Sequence, residues 1–334
     1  MISPTILITG GAGYIGSHTA LFMAQKGYRV VILDNKKMDC DWATSIQGDF
    51  SDKDILNEIF KQYNIEAVMH LAGYIEVGES VKKPLKFYTN NVSKTVQLLE
   101  VMVDNQINKL IFSSSCAIYG IPEFLPVTEE HPKNPVSPYG KSKLMVENLL
   151  QDLSETSDLK FVSLRYFNAA GAVPEYGLGE QHFPETHLIP LLLHSAKTGK
   201  PFAIFGTDYP TKDGSCIRDY LHAWDIADAH WRALCYLNED RPSGFFNLGT
   251  GTGFSVKEMI QAVENVSKTE IRTIASERRT GDSPILIADS TKAQALLKWK
   301  AKCSDLETIL RSAYIFDNQL RSKNIIEPNE TIII

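Results

Sequence analysis

The sequence predicts an α/β protein: a doubly wound parallel sheet over residues 1–170, then a smaller, irregular α/β lobe that makes up most of 171–334. Three observations predict it. Short apolar runs rich in β-branched residues alternate with amphipathic helical patterns through the first half. Strands buried on both faces by crossover helices have that pattern. A glycine-rich loop separates the first apolar run from the first helical pattern. After about residue 170 the alternation gives way to Gly-, Pro- and polar-rich stretches such as 171–185 and 206–215. A chain of 334 residues is long for one core and suits two packed lobes.

The elements follow in order. "TILIT" (5–9) opens the sheet and runs into "GGAGYIGS", which places Gly10, Gly13 and Gly16 in a G-x-x-G-x-x-G pattern before a helix. Glycine there permits a tight turn and lets the backbone approach a pyrophosphate, while the helix N-terminus offers N–H groups and a positive dipole. The fold is therefore of the Rossmann type. "RVVIL" (29–33) is the second strand and ends at Asp34, eighteen residues after Gly16. A carboxylate at that place accepts from a ribose 2′-hydroxyl and repels a 2′-phosphate, favouring NAD over NADP. "QGDF" (47–50) follows the third strand position, where Asp49 can reach an adenine amino group or simply form a turn. "AVMHLA" (67–72), "KLIFSSS" (109–115) and "KFVSLRYFN" (160–168) continue the sheet. "GFFNLGTG" (244–251) reads as a returning strand, which would join a segment near 220–250 to the first lobe.

Strand carboxyl ends build the site of an open α/β sheet, so Ser113, Ser114 and Ser115 are expected beside the glycine loop. Directly afterwards comes "SPYGKSK" (137–143): Ser137 can cap a helix, Pro138 suits its first turn, and "LMVENLLQDL" continues it. Residues four apart share a helix face, so Tyr139 and Lys143 point together and Lys141 points elsewhere. A free tyrosine, with a pKa near 10, is a poor base at neutral pH. A Lys ammonium, together with a positive nicotinamide, favours the phenolate. Tyr139 then becomes a general base, a serine hydroxyl orients the substrate, and the chemistry is hydride abstraction from a secondary alcohol.

Bulk properties narrow the class. Hydrophobic and charged contents of 43% and 22% are those of a soluble globular protein. A net charge of −6 argues against a nucleic-acid partner or an acidic membrane. No apolar run is long enough to cross a bilayer, and no basic segment precedes the first one as in a signal peptide. The five cysteines are scattered without metal-type spacing, so no metal is expected and a reducing cytoplasm is the natural compartment.

Taken together, "TGGAGYIGSH", "VGESVKKPLKFYTNNV", "IFSSSCAIYG", "SPYGKSKLMVE", "LRYFNAAGA", "IFGTDYPTKDGSCIRDYLHA" and "FNLGTGTGFSV" resemble the extended short-chain dehydrogenase/reductase superfamily. Within it they are most similar to the NAD-dependent sugar-nucleotide epimerases, over nearly the whole chain. The resemblance implies C4 epimerisation of UDP-glucose and UDP-galactose through a 4-keto sugar, with NAD tightly bound and not consumed, in a homodimer. It implies Tyr139 as base, Ser115 as the substrate-orienting hydroxyl and Lys143 as a catalytic, ribose-binding lysine. It assigns the cofactor to Gly10, Gly13, Tyr14, Ile15, Gly16, Asp34, Asn35, Asp49, Phe50, Leu71, Ala72, Asn91, Ser113, Tyr139, Lys143 and Tyr166. It assigns the UDP-hexose to Ser115, Tyr139, Phe167, Asn168, His187, Leu188, Ile204, Phe205, Arg218, Arg279, Asp282 and Leu286. Arginines suit this task because a guanidinium matches phosphate oxygens bidentately.

A 4,6-dehydratase of the same superfamily needs an acid/base pair after the catalytic serine, where this chain has Cys116 and Ala117. A hydroxysteroid dehydrogenase would not need Arg218 or Arg279, and a non-enzymatic NAD-binding protein would not need the Tyr/Lys pair. Departures from the family pattern are Ile75 where relatives carry an NAD-binding Lys, His187 in place of Asn, and Leu286 in place of Tyr. A neutral His187 can still donate. Leu286 leaves room beside the sugar C2, so a UDP-N-acetylglucosamine or dual-specificity 4-epimerase is the alternative. The apolar tail "TIII" (331–334) carries no readable role.

Overall fold

A computed structural model describes residues 4–182, 184–279 and 281–322, so the tail at 331–334 lies outside the described residues. Its first half alternates strand and helix: β1 (Thr5–Thr9), α1 (Tyr14–Gln25), β2 (Arg29–Asp34), β3 (Thr44–Gln47), α2 (Lys53–Gln62), β4 (Ile65–His70), α3 (Val77–Lys82), α4 (Pro84–Tyr88), α5 (Lys94–Asp104), β5 (Lys109–Ser113), α6 (Pro138–Thr156) and β6 (Lys160–Tyr166). The rest comprises β7 (Asn168–Ala170), α7 (Leu188–Thr198), β8 (Phe202–Phe205), β9 (Ile217–Arg218), β10 (Tyr220–His222), α8 (Ala223–Asn238), β11 (Gly244–Leu248), β12 (Phe254–Ser255), α9 (Val256–Ser267), β13 (Thr273–Ser276), β14 (Ile285–Leu286) and α10 (Leu306–Ser322).

The main sheet has seven strands in the order β11-β6-β5-β4-β1-β2-β3, every pair parallel. Its order reverses between β1 and β4, and the crevice outside their carboxyl ends is where this topology binds ligands. The Rossmann-type α/β fold read from the sequence is the observed one. Two apolar layers cover the sheet. One joins Ile6, Ile8, Val30, Ile32 and Met69 to α1 and α8; the other joins Leu7, Val31, Val68, Leu110 and Phe112 to α2, α5 and α6. Consecutive residues of β1 feed opposite layers, as the two-residue period of a strand requires. Strand ends differ slightly from the sequence reading. β4 stops at His70 and β5 at Ser113, so Leu71, Ala72, Ser114 and Ser115 belong to loops that turn into the crevice.

A third apolar cluster, including Ile189, Leu192, Ile204, Met259, Val263, Ile309 and Leu310, packs α7, α9 and α10 around β8. β13 pairs with β8, while β9 pairs with both β12 and β14. Asp219, fully buried, ties these short pieces together by accepting from the backbone N–H groups of Thr250, Gly251 and Ala288.

Helix α6 is fixed to the sheet by a buried ion pair. Arg165 on β6 donates Nε to Glu147 Oε1 (2.9 Å) and Nη2 to Glu147 Oε2 (2.7 Å), and both side chains are 1% exposed. Ser163 Oγ donates to the same carboxylate, and Arg165 Nη1 donates to Tyr119 Oη. Tyr119 in turn donates to Asn247 on β11. Breaking such a pair from one side strands a buried charge and costs about 3–5 kcal/mol, whereas replacing both partners by apolar groups is often neutral or better. Arg165→Met is therefore expected to lower unfolding free energy in urea by about 3–5 kcal/mol, and Glu147→Leu/Arg165→Met to recover most of that loss. A single variant within about 1 kcal/mol of the parent would show that the pair has no such role.

Candidate functional site

The glycine loop forms the floor of the crevice. Gly10 has φ +73°, and a Cβ there would lie 2.5 Å from Ala72 N. A Cβ on Gly16 would lie 2.0 Å from Gly10 O. Both positions therefore require glycine, because the loop folds back on itself and against the end of β4. Gly13 is the N-cap of α1, with no side chain capping the helix. The first N–H groups of α1, on Tyr14, Ile15 and Gly16, are thus left for an anion, with a helix dipole behind them. Tyr14 Oη donates to Gly171 O (2.6 Å), and Ile15 packs into the core under the loop.

Asp34 ends β2 beside this loop. Its Oδ2 accepts from Ala12 N (3.1 Å) and its Oδ1 from Lys36 N (3.0 Å), which holds the carboxylate in place with lone pairs left for ribose hydroxyls. Exposed Asn35 follows it, its carbonyl taken by Gln47 Nε2. Asp49 accepts from Ser51 N and Ser51 Oγ and is paired with Lys94. Burial raises its pKa, but the Lys94 and Ser51 contacts prevail and lower it. Phe50 is buried, with its ring 5.0 Å from His70, so only its backbone is available to a ligand.

Leu71 N donates to Thr9 O, which carries Leu71 and Ala72 across the crevice. Asn91 holds the turn that follows: its Oδ1 accepts from Tyr74 N and its Nδ2 donates to Tyr74 O (both 2.9 Å) and to Ser142 Oγ on α6. Ile75 is exposed beside that turn.

On the opposite wall, α6 starts as its sequence requires. Ser137 Oγ accepts from Gly140 N (3.1 Å), and Pro138 occupies the first turn. Tyr139 and Lys143 are buried on one face and Lys141 is exposed. Lys143 Nζ donates to Ser113 O (2.7 Å) and lies 5.9 Å from the Tyr139 ring centre. Burial lowers Lys143 to about 8, while Glu147 one turn on opposes that shift. Ser115 lies against the Tyr139 phenol; its Oγ also accepts from Ala117 N (3.2 Å). Ser113 Oγ shares a hydrogen bond with Tyr166 Oη, and burial raises the Tyr166 phenol. Burial also pushes Tyr139 up to about 12, outweighing the Ser115 hydrogen bond that lowers it. The polypeptide alone thus keeps this phenol protonated, and Lys143 does not by itself make it a base. Cys116 is buried, and burial drives its thiol up to about 12, so it offers no proton for eliminating water.

A second group of side chains comes from the short strands and loops after α7. Arg218 donates Nη1 to Ile217 O (2.9 Å) and Ser283 O (2.7 Å), and its Nη2 meets Asp282 Oδ1 at 3.4 Å. Arg279 donates Nε to Asp282 Oδ2 (3.0 Å), and its guanidinium stands 5.0 Å from the Phe205 ring centre. Arg218, Arg279, Asp282 and Phe205 are therefore brought together, with Ile204 buried beneath them. Leu286 faces Arg218 across the β14–β9 pairing and packs against the cluster containing Cys116 and Phe167. Asn168 Nδ2 donates to Asp219 O (2.9 Å).

His187 occupies the N-cap position of α7, just before Leu188, without a side-chain capping bond, and its state differs from the neutral one expected. Its Nδ1 lies 2.8 Å from Glu180 Oε1 and 3.2 Å from Glu185 Oε1. Burial would lower its pKa, but these two carboxylates prevail and raise it to about 10. Asp219, Glu147 and the Glu180/Glu185 pair were missed in the sequence. Their partners lie far off in the chain or in an irregular loop, where spacing gives no signal.

The profile of the "NAD dependent epimerase/dehydratase family" matches residues 6–249. A UDP-glucose 4-epimerase of Halalkalibacterium halodurans is 46% identical over 314 residues, covering 92% of this chain and 94% of that protein. The crystal structure of UDP-glucose 4-epimerase from Brucella ovis in complex with NAD has a TM-score of 0.90 at 42% identity, covering 93% of this chain and 98% of the other. The UDP-Glc/GlcNAc 4-epimerase from Campylobacter jejuni has a TM-score of 0.83 at 40% identity, covering 95% and 100%.

The close approaches of the glycine loop give a direct test. In Gly16→Ala the new methyl meets a backbone carbonyl that no rotamer change can move. The purified variant is expected to carry at least about tenfold less bound dinucleotide, released by acid and measured by chromatography. Full dinucleotide content would show that the loop does not hold the phosphates.

Proposed function

The chain belongs to the NAD-dependent epimerase/dehydratase family, and on that premise we propose that it interconverts UDP-glucose and UDP-galactose by inverting C4. The observation that carries this reading is that Tyr139, Ser115 and Lys143 gather at the end of β5, and that Cys116 beside Tyr139 feels the guanidinium of Arg218, which shares Asp282 with Arg279. One group of side chains suits proton transfer at a sugar hydroxyl, and the other suits a nucleoside diphosphate.

The residues fit NAD: the uncapped start of α1 takes the pyrophosphate, Asp34 the adenosine ribose, and Lys143 the nicotinamide ribose. NAD supplies a hydride acceptor that gives the same hydride back, and a positive ring that favours a nearby phenolate. Tyr139 Oη takes the proton from the sugar 4-hydroxyl, which Ser115 orients. Arg218 and Arg279 hold the diphosphate, and Asp282 accepts from the uridine ribose. Asn168, Leu188 and the Nε2 of His187 would complete the diphosphate site. Binding energy is thus placed remote from the reacting carbon. The 4-keto sugar turns about the bonds to its anchored diphosphate and presents its other face, and Tyr139 then returns the proton to O4.

A second reading, acceptance of N-acetylated sugars, is favoured by Leu286, a side chain smaller than tyrosine set beside Arg218. Both readings are tested by incubating the protein, without added NAD, with UDP-galactose or UDP-N-acetylgalactosamine and following the anomeric protons by NMR. Conversion of UDP-galactose is expected, with kcat about 10²–10⁴-fold lower in Tyr139→Phe. Conversion of the second sugar, abolished in Leu286→Tyr, would establish the wider specificity. If neither sugar converts even after NAD is supplied, the epimerase reading fails.

We also infer a homodimer through α5 and α6. Val96, Leu99, Val103, Leu149 and Leu153 line an apolar groove between these helices, with Val103 44% exposed. Paired apolar helix faces suit a four-helix interface. Light scattering is expected to give twice the chain mass of 37.3 kDa, and Val103→Glu with Leu153→Glu to halve it. A monomeric parent would overturn this. Among the described residues no helix is long and apolar enough to cross a membrane. All five cysteines are free, which supports a reducing, cytoplasmic setting.

A further inference from the structure

Four side chains from the segment leading into α7 converge on one point. Glu180, His182, Glu185 and His187 each offer a carboxylate oxygen or an imidazole Nδ1, and these atoms all lie within 4.8 Å of one another. We propose that this cluster binds a divalent transition-metal cation of the zinc class, as a structural clip at the start of α7.

Geometry is the first argument. Four ligands about 2.1 Å from a tetrahedral zinc stand about 3.4 Å from each other. In the cluster, His187 Nδ1 lies 2.8 Å from Glu180 Oε1 and 3.2 Å from Glu185 Oε1. His182 Nδ1 lies 3.4 Å from Glu180 Oε1 and 3.9 Å from Glu185 Oε2. These four His–Glu separations lie on both sides of the tetrahedral edge, and the other two pairs lie within 4.8 Å, so the side chains need to contract around a bound cation. Two imidazoles and two carboxylates also form a borderline donor set whose formal charge a dication cancels.

The second argument is hydrogen-bond satisfaction. A proton on His187 can be shared by the two carboxylates. His182 Nδ1 is buried and makes no well-aligned hydrogen bond among the described residues; its nearest oxygen, Glu180 Oε1, is 3.4 Å away and already accepts from His187. Buried polar atoms are nearly always satisfied. One proton serves half of the cluster, whereas a cation serves all four groups at once.

The clip would fix two elements. His187 is the N-cap of α7, and Glu180 and Glu185 lie close enough to Tyr14, the first residue of α1, to add to the rise that burial causes in its phenol. The site thus sits between the helix that begins at the glycine loop and the helix that begins the second lobe. It is built from His and Glu, and cysteine spacing could not disclose it. The proposal does not depend on the epimerase reading.

The test uses the NAD-loaded protein, stripped with a chelator, reloaded with zinc chloride, desalted and measured by plasma mass spectrometry. About one equivalent per chain is expected to stay bound. His182→Gln and Glu185→Gln are each expected to weaken zinc binding at least about tenfold. Failure of the parent protein to retain zinc would overturn the proposal, as would undiminished binding in both variants. If the variants do not fold, crystals of the zinc-loaded parent protein decide. An anomalous peak among the four side chains supports the site; no peak there, or a peak only elsewhere, overturns it.

Discussion

The position of Tyr139 depends on a contact two helical turns away, the ion pair between Glu147 on α6 and Arg165 on β6. A helix can slide and rotate against a sheet when only apolar side chains meet. A bidentate guanidinium–carboxylate contact permits one rotation and one height. With Glu147 fixed, Lys143 one turn back points at the end of β5, and Tyr139 another turn back points at Ser115. The network continues through Tyr119 to Asn247, so β11, which enters the sheet from late in the chain, is tied to the same point. A buried pair is weak evidence for net stability; its consequence here is geometric.

The glycine loop imposes the complementary constraint from the other side of the crevice. Gly10 and Gly16 let β1, the loop and the end of β4 meet at distances that leave no room for a side chain. The uncapped N–H groups of α1 are thereby brought to the wall opposite Tyr139. A cofactor spanning the crevice would touch both constraints, which links the close packing of a tight loop to the placement of Tyr139.

What could be read from the sequence follows from which interactions are local. Six strands of the main sheet were legible because burial leaves continuous apolar runs, and the start of α6 because Ser137 and Pro138 act within one turn; β3, the half-buried edge strand Thr44–Gln47, has no such run and only its position was legible. The glycine loop was legible because its constraint is set by neighbours in the chain. Strand ends were less so: whether Ser114 continues β5 is decided by pairing with β6. The second lobe was harder, because β9, β12 and β14 are two residues each and too short for any period to show. Asp219 binds three separate segments, and none of them marks it in advance. A neutral donor at His187 is what the comparison with an Asn at that place suggests. Its state is set by Glu180 and Glu185, which the loop folds onto it.

The electrostatics of the crevice are better explained by one cause than by two. The same exclusion of water raises Tyr139 to about 12 and lowers Lys143 to about 8. Both shifts favour the neutral forms, so burial alone brings the pair to rest as a phenol beside a mostly protonated amine. The lysine directs its ammonium to Ser113 O, and the phenol hydrogen-bonds to the Ser115 hydroxyl. In a site this dry, a charge added nearby acts with little screening. A cation held across the glycine loop would therefore lower the phenol far more than the same cation in water. The polypeptide alone thus keeps the Tyr139 phenol protonated, and a bound cation would favour the phenolate, the form that can take a proton.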